Sequence, residues 1–163
     1  MLKDVLQPNL RLVVCGSAAG RRSAELGQYY AGPGNKFWTT LAVTGLTPRK
    51  LAPAEADLLP SFGIGLTDVV KGQSGSDIGI DFSRSDVPAL EAKLVHFAPA
   101  LLCFNGKRAA QVFLGVRDVG FGLQPQVAGR TRLFIAPSTS GAANGTWDLR
   151  PWEELAALAK AAG

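Results

Sequence analysis

Four short apolar runs, Leu10–Cys15, Ile64–Val70, Leu101–Phe104 and Arg132–Ala136, alternate with stretches whose apolar residues fall at helical spacing. Strands that are apolar on both sides of the chain must be buried on both faces. A parallel sheet covered by helices achieves this, with each strand joined to the next by a crossover. Two of the runs open directly onto loops of small residues. Leu10–Cys15 leads into Gly16-Ser17-Ala18-Ala19-Gly20, and Arg132–Ala136 leads into Pro137-Ser138-Thr139-Ser140-Gly141. Loops at the carboxyl ends of strands form the ligand crevice of an open α/β sheet. The function of the chain is therefore to be sought in those loops.

The remaining segments fit the same plan. A long loop is predicted from Gly16 to about Gly34. It is followed by a helix over Asn35–Thr44 that carries Phe37, Trp38 and Leu41 on one face and ends at Gly45. Pro48–Pro60 reads as a connector with a helical turn near Ala54–Leu58, and Gly72–Ser85 as a surface loop rich in Gly, Ser and Asp. Further helices are predicted over Asp86–Phe97, Gly106–Leu114 and Pro151–Ala161. Pro88 suits the first turn of one, and Asn105 suits the cap of the next. Arg117–Arg130 is expected to be a loop or hairpin, and residues 1–163 a single domain.

With 47% hydrophobic and 18% charged residues, the chain has enough apolar surface to fold and is not a disordered tail. No apolar run approaches membrane-spanning length, and Met1-Leu2-Lys3-Asp4-Val5 is too short and mixed to be a signal peptide. Cys15 and Cys103 fall inside strand-like runs and read as reduced core residues, which suits a cytosolic setting. His96, the only histidine, lies on a predicted helix beside Phe97 and is expected to be structural or exposed. One histidine and two separated cysteines do not make a zinc site, so no metal is expected. The formal net charge of +4 suits an anionic partner such as nucleic acid.

Small residues after a strand let a ligand approach the backbone, whose N–H groups can bind anions or carbonyl oxygens. Gly16–Gly20 has neither the glycine spacing of a dinucleotide-binding turn nor the Lys-Ser/Thr ending of a phosphate-binding loop. Taken alone, it reads first as a tight strand-to-loop turn. The ordered set is more specific. It comprises Gly16-x-x-x-Gly20, Tyr30-Ala31-Gly32-Pro33-Gly34-Asn35-Lys36-Phe37-Trp38, Phe104-Asn105-Gly106-Lys107, Phe121-Gly122-Leu123-Gln124-Pro125 and Pro137-Ser138-Thr139-Ser140. Together, from about Leu10 to Leu158, these resemble the mismatch-specific uracil/thymine-DNA glycosylases of the uracil-DNA glycosylase superfamily.

The resemblance implies a three-layer α/β/α sandwich around a short, mainly parallel central sheet. It also implies an enzyme that flips a deaminated base out of DNA and hydrolyses its bond to the sugar, with no cofactor. The expected partner is DNA carrying uracil or mismatched or damaged bases, met by a monomer in the bacterial cytosol or nucleoid. Gly16, Ser17, Ala18 and Tyr30 would form the base pocket, with the Tyr30 ring stacking on the base and Ser23 in support. Lys107, Ser138, Thr139, Ser140, Gly141 and Ala142 would meet the DNA. The matching positions in this last loop are small, so they make a weak wedge.

The family's first motif commonly carries an asparagine that positions the hydrolytic water. The corresponding residue here is Ala18, which cannot hold water. Asp68, at the end of a strand predicted to point into the same crevice, is the first candidate to take over that role. Asn35 is the second, although capping the following helix would also explain it. Asp77 and Asp81 in the Gly/Ser loop are more remote candidates. Two other functions stay open at this stage: a protein that binds flipped uracil without cutting, and a hydrolase of free nucleosides or nucleotides.

Overall fold

The computed structural model describes residues 2–75, 79–82 and 86–162. Five strands form one sheet in the order β2-β1-β3-β5-β4. They are β1 (Leu12–Gly16), β2 (Ile64–Asp68), β3 (Leu101–Asn105), β4 (Gly122–Ala128) and β5 (Thr131–Ala136). The first four in that order run parallel, and β4 pairs antiparallel with β5 at the edge. The helices are α1 (Arg21–Leu26), α2 (Phe37–Val43), α3 (Val87–Phe97), α4 (Lys107–Leu114) and α5 (Arg150–Ala162), with a 3-10 segment over Pro53–Phe62. The architecture is thus a mostly parallel α/β sheet flanked by helices.

Strand side chains alternate between the two faces of a sheet, and here both faces are buried. Leu12 and Val14 join Ile64, Leu66, Leu101, Cys103 and Phe134 under α2 and α5, where Phe37, Trp38, Leu41 and Trp152 close the core. Val13 and Cys15 turn the other way and pack with Leu102, Phe104, Leu133 and Ile135 beneath α3 and α4. The two cysteines consequently lie on opposite faces of the sheet.

The strand expectations hold, with boundaries shifted by at most two residues. Val69 and Val70 leave β2 but remain beside β1, their N–H groups donating to the carbonyls of Gly16 (2.9 Å) and Ser17 (2.8 Å). The Arg117–Arg130 region contains β4. Its proline, Pro125, sits in an edge strand within a register shift between Leu123 and Val127, where no ladder donor is needed.

Two expectations are corrected. The loop predicted from Gly16 to Gly34 contains α1, a six-residue helix stopped by Gly27 in the left-handed region. It has no apolar periodicity and is supported by Arg–Glu pairs at (i, i+3) and (i, i+4). Asn105 does not cap α4, because Gly106 is the N-cap and no side chain caps it. A short N-terminal segment also pairs with the outer edge of the sheet, Val5 and Leu66 exchanging backbone hydrogen bonds of 2.9 and 2.8 Å.

Candidate active site

The loops at the carboxyl ends of the parallel strands enclose a cleft of about 620 Å³. One wall is Gly16–Gly20 with the start of α1, and another runs from Tyr29 to Asn35. Asp68, the Asn105–Arg108 turn and Ser138–Ala143 complete it. Among the described residues, every site residue expected from the sequence lines this one cleft except Asp81. Asp77 lies outside the described residues, and Asp81 is exposed, with its backbone bonded to Gln73.

Asp68 is the last residue of β2 and pairs in register with Gly16, the last residue of β1. It is 5% exposed. A Cβ placed on Gly16 would lie 2.6 Å from Asp68 Oδ1 and 3.2 Å from Tyr30 Oη. The absent side chain at Gly16 is therefore what leaves room for the carboxylate. Burial pushes the Asp68 carboxyl up to about 6; the Lys71 charge pulls it down and that of Asp4 pushes it up. At neutral pH it remains mostly ionised, buried at the base of the cleft that it lines.

Tyr30 has φ of +52°, an uncommon conformation for a side chain larger than glycine. Its ring packs on Phe37, with centroids 4.1 Å apart, and its hydroxyl points inward toward Gly16 and Asp68. That hydroxyl is buried with no hydrogen bond of ordinary geometry among the described residues, although the Asn105 side chain lies beside it. Burial, and then the Asp68 charge, raise the phenol well above its usual range. Ser23 is buried and its hydroxyl accepts the Ala31 N–H at 3.0 Å, fixing the Tyr30 segment. Asn35 Oδ1 accepts the Phe37 N–H at 3.0 Å, so it satisfies the first N–H of α2, whose N-cap is Lys36, while lining the cleft. Ala18 lines the cleft and brings no polar side-chain atom to it.

The loop after β5 is built by Asn105. Asn105 Oδ1 accepts the Thr139 N–H and Asn105 Nδ2 donates to Thr139 Oγ1, both at 3.0 Å. The Thr139 carbonyl accepts the Lys36 N–H at 2.8 Å. Thr139 is fully buried, so its polar groups shape the loop. Ser138 and Ser140 hydroxyls accept the N–H groups of Ser140 and Ala142, each at 3.2 Å, making two tight turns at the rim. Gly141 packs against Gly34, where a Cβ would meet the Gly34 carbonyl oxygen at 3.4 Å. Lys107, the first residue of α4, is exposed, with its ammonium 4.8 Å from the Phe121 ring centroid.

The sequence reading missed Lys71 and Asp4, which flank Asp68 behind the cleft, and the rim residue Arg108; Phe121, named in one of the motifs but given no role, also lies at the rim. Asp4 is 64 positions from Asp68 along the chain, so no local pattern connects them. Among the described residues, no group of three or more His, Cys, Asp or Glu could hold a metal ion, and no helix is long and apolar enough to cross a membrane.

The fold is similar to the solution NMR structure of a putative uracil DNA glycosylase from Methanosarcina acetivorans. The TM-score is 0.63 at 23% identity, over 99% of this chain and 96% of that one. The cleft lies where such a sheet gathers its strand ends, with a buried carboxylate at its base and small-residue loops at its rim. Residues 3–162 match the family model of the uracil DNA glycosylase superfamily, and the chain belongs to that superfamily.

Proposed function

We propose that this protein excises uracil from DNA by hydrolysing the bond between base and sugar, with Asp68 as the catalytic carboxylate. The observation that carries this reading is the placement of Asp68, buried at the end of β2 yet lining the cleft, across from a Gly16 that leaves it room. As the bond to the base breaks, the sugar develops positive charge and the base leaves as an anion. A nearby carboxylate stabilises the cation and orients the water that adds to the sugar carbon. Asp68 then takes the proton that the water loses, and the base keeps the bonding electrons. With its carboxyl at about 6, Asp68 is mostly ionised at pH 7.

Gly16, Ser17 and Ala18 would hold the base edge through their backbone, with Tyr30 beside it. Lys107 and the Ser138, Ser140, Gly141 and Ala142 rim would meet the DNA strand. The resemblance to mismatch-specific enzymes makes uracil opposite guanine the favoured substrate, with other damaged or mispaired pyrimidines after it. Small side chains at Ser140–Ala142 give little wedge. Extrusion should therefore be easiest from mispaired or single-stranded sites, where the cost of unstacking is least. A second reading, a protein that binds flipped uracil without cutting, is favoured by Ala18 alone, because it carries no group that could position water.

Labelled oligonucleotides with uracil opposite guanine, opposite adenine and unpaired, and with thymine opposite guanine, separate these readings after alkali treatment. Strand breaks at uracil, strongest opposite guanine or unpaired, are expected. Tight binding without breaks would establish the binding protein. Turnover of free deoxyuridine with no advantage for DNA would establish a nucleoside hydrolase.

A further inference from the structure

We propose that Lys71, fixed in place by Asp4 of the N-terminal segment, is a positioning residue for the Asp68 carboxylate. The inference rests on Asp68 being the catalytic carboxylate. Lys71 is only 16% exposed and does not line the cleft, so it acts through Asp68 and touches no substrate. Its ammonium has three donors, and three oxygens lie within reach: Asp4 Oδ1 at 2.5 Å, Tyr29 Oη at 3.2 Å and the Leu2 carbonyl at 3.4 Å. Asp68 Oδ2 is farther away, at 3.9 Å. Lys71 therefore acts on Asp68 through its charge, without occupying a carboxylate lone pair with a short hydrogen bond. The carboxylate stays ionised while its oxygens remain open to the cleft.

Asp4 holds that stand-off. Its second oxygen pairs with Lys93 of α3 at 2.5 Å, and its first accepts the Thr67 hydroxyl at 2.7 Å. These bonds join the N-terminal segment, β2 and α3 around one carboxylate, and the Val5–Leu66 backbone pair anchors the segment. The charged groups facing Asp68 are then two cations, Lys71 and Lys93, and one anion, Asp4. Burial keeps the other titratable neighbours neutral: Cys15 of β1, and Tyr29 and Tyr30 ahead of α2. The cluster balances in charge only when Asp68 is ionised. If Lys71 approached within hydrogen-bond distance it would compete with water for Asp68, and if it were removed the carboxyl would favour its neutral form.

The test is the pH dependence of single-turnover excision for wild type, Lys71→Met, Lys71→Arg, Asp4→Asn and Asp68→Asn. Lys71→Met should move the acid limb of the profile upward by about one pH unit and recover most of its rate at high pH. Lys71→Arg should restore the wild-type profile. Asp4→Asn removes the anion that opposes ionisation and should move the limb the other way. A purely structural role would lower the rate at every pH and shift no limb. A wild-type profile for Lys71→Met, or parallel losses at all pH values in Lys71→Met and Asp4→Asn, would overturn the inference while leaving Asp68 in place. Wild-type excision by Asp68→Asn would instead remove the carboxylate reading, and this inference with it.

Discussion

Gly16→Ala probes the site where the fold and the proposed chemistry meet. Gly16 does not have a positive φ, so alanine brings no backbone strain. The new Cβ would stand 2.6 Å from Asp68 Oδ1, against the 3.4 Å at which ordinary contact begins, so one of the two must give way by 0.8 Å. Asp68 is 5% exposed, so its carboxylate has little room to move aside without leaving the position described. A displacement near 1 Å at a reacting group costs about 100-fold in rate. Forcing an extra methyl into a packed site costs about 1–3 kcal/mol. At this chain length that corresponds to a fall of about 2–4 °C in melting temperature per kcal/mol. Single-turnover excision of uracil from a labelled oligonucleotide, with a thermal melt alongside, measures both effects. Gly72→Ala, away from the cleft, is the control, since nothing lies within 4 Å of the added Cβ. Wild-type excision and an unchanged melt for Gly16→Ala would show that Asp68 is not held against Gly16 in solution, and the cleft geometry described above would be wrong.

The buried Asp68 should cost stability where it is ionised. Its folded value of about 6 lies above the ordinary 3.8, so the native state binds its proton more tightly than the unfolded chain does. Stability from this group is then greatest below pH 4 and is lost as pH rises through about 6, by about 3 kcal/mol in all. Asp68→Asn is expected to melt higher than wild type at pH 8 and to lose that advantage near pH 4; a lower melt at pH 8 would reverse the assignment. Tyr30→Phe removes a buried hydroxyl that has no well-formed hydrogen bond, and stability should hold or rise by about 1 kcal/mol in chemical denaturation. A fall of that size would mean that Asn105 bonds the hydroxyl. Lys107→Ala should weaken DNA binding equally across sequences and flatten the slope of affinity against salt by about one; an unchanged slope would place Lys107 off the DNA path.

Apolar strands of fixed length made the sheet legible in the sequence. Leu12–Cys15 and Leu101–Phe104 are buried on both faces, and that double burial is what a continuous apolar run encodes. The cleft was legible for a related reason, since small-residue loops follow the very strands whose ends converge. Helix α1 was not, because Arg21-Arg22-Ser23-Ala24-Glu25-Leu26 has too few apolar residues for a period. Gly27, and the spacing of Arg21 and Arg22 to Glu25, were the available signals. Asn105 preceding a helix had the local signature of a cap, yet a tertiary partner, Thr139, took its side chain. The Asp4–Lys71–Lys93 cluster was invisible for the same physical reason. Its members lie on three separate segments, and only the folded register of the N-terminal segment against β2 joins them.

The most direct test of the account is single-turnover excision from a uracil–guanine duplex by wild type and Asp68→Ala, with DNA affinity measured on the same samples. Alkali-sensitive abasic sites are expected from wild type, none above background from the variant, and affinities within a few fold of each other. Equal excision by both proteins would contradict it, because the carboxylate at the base of the cleft would then have no part in the reaction.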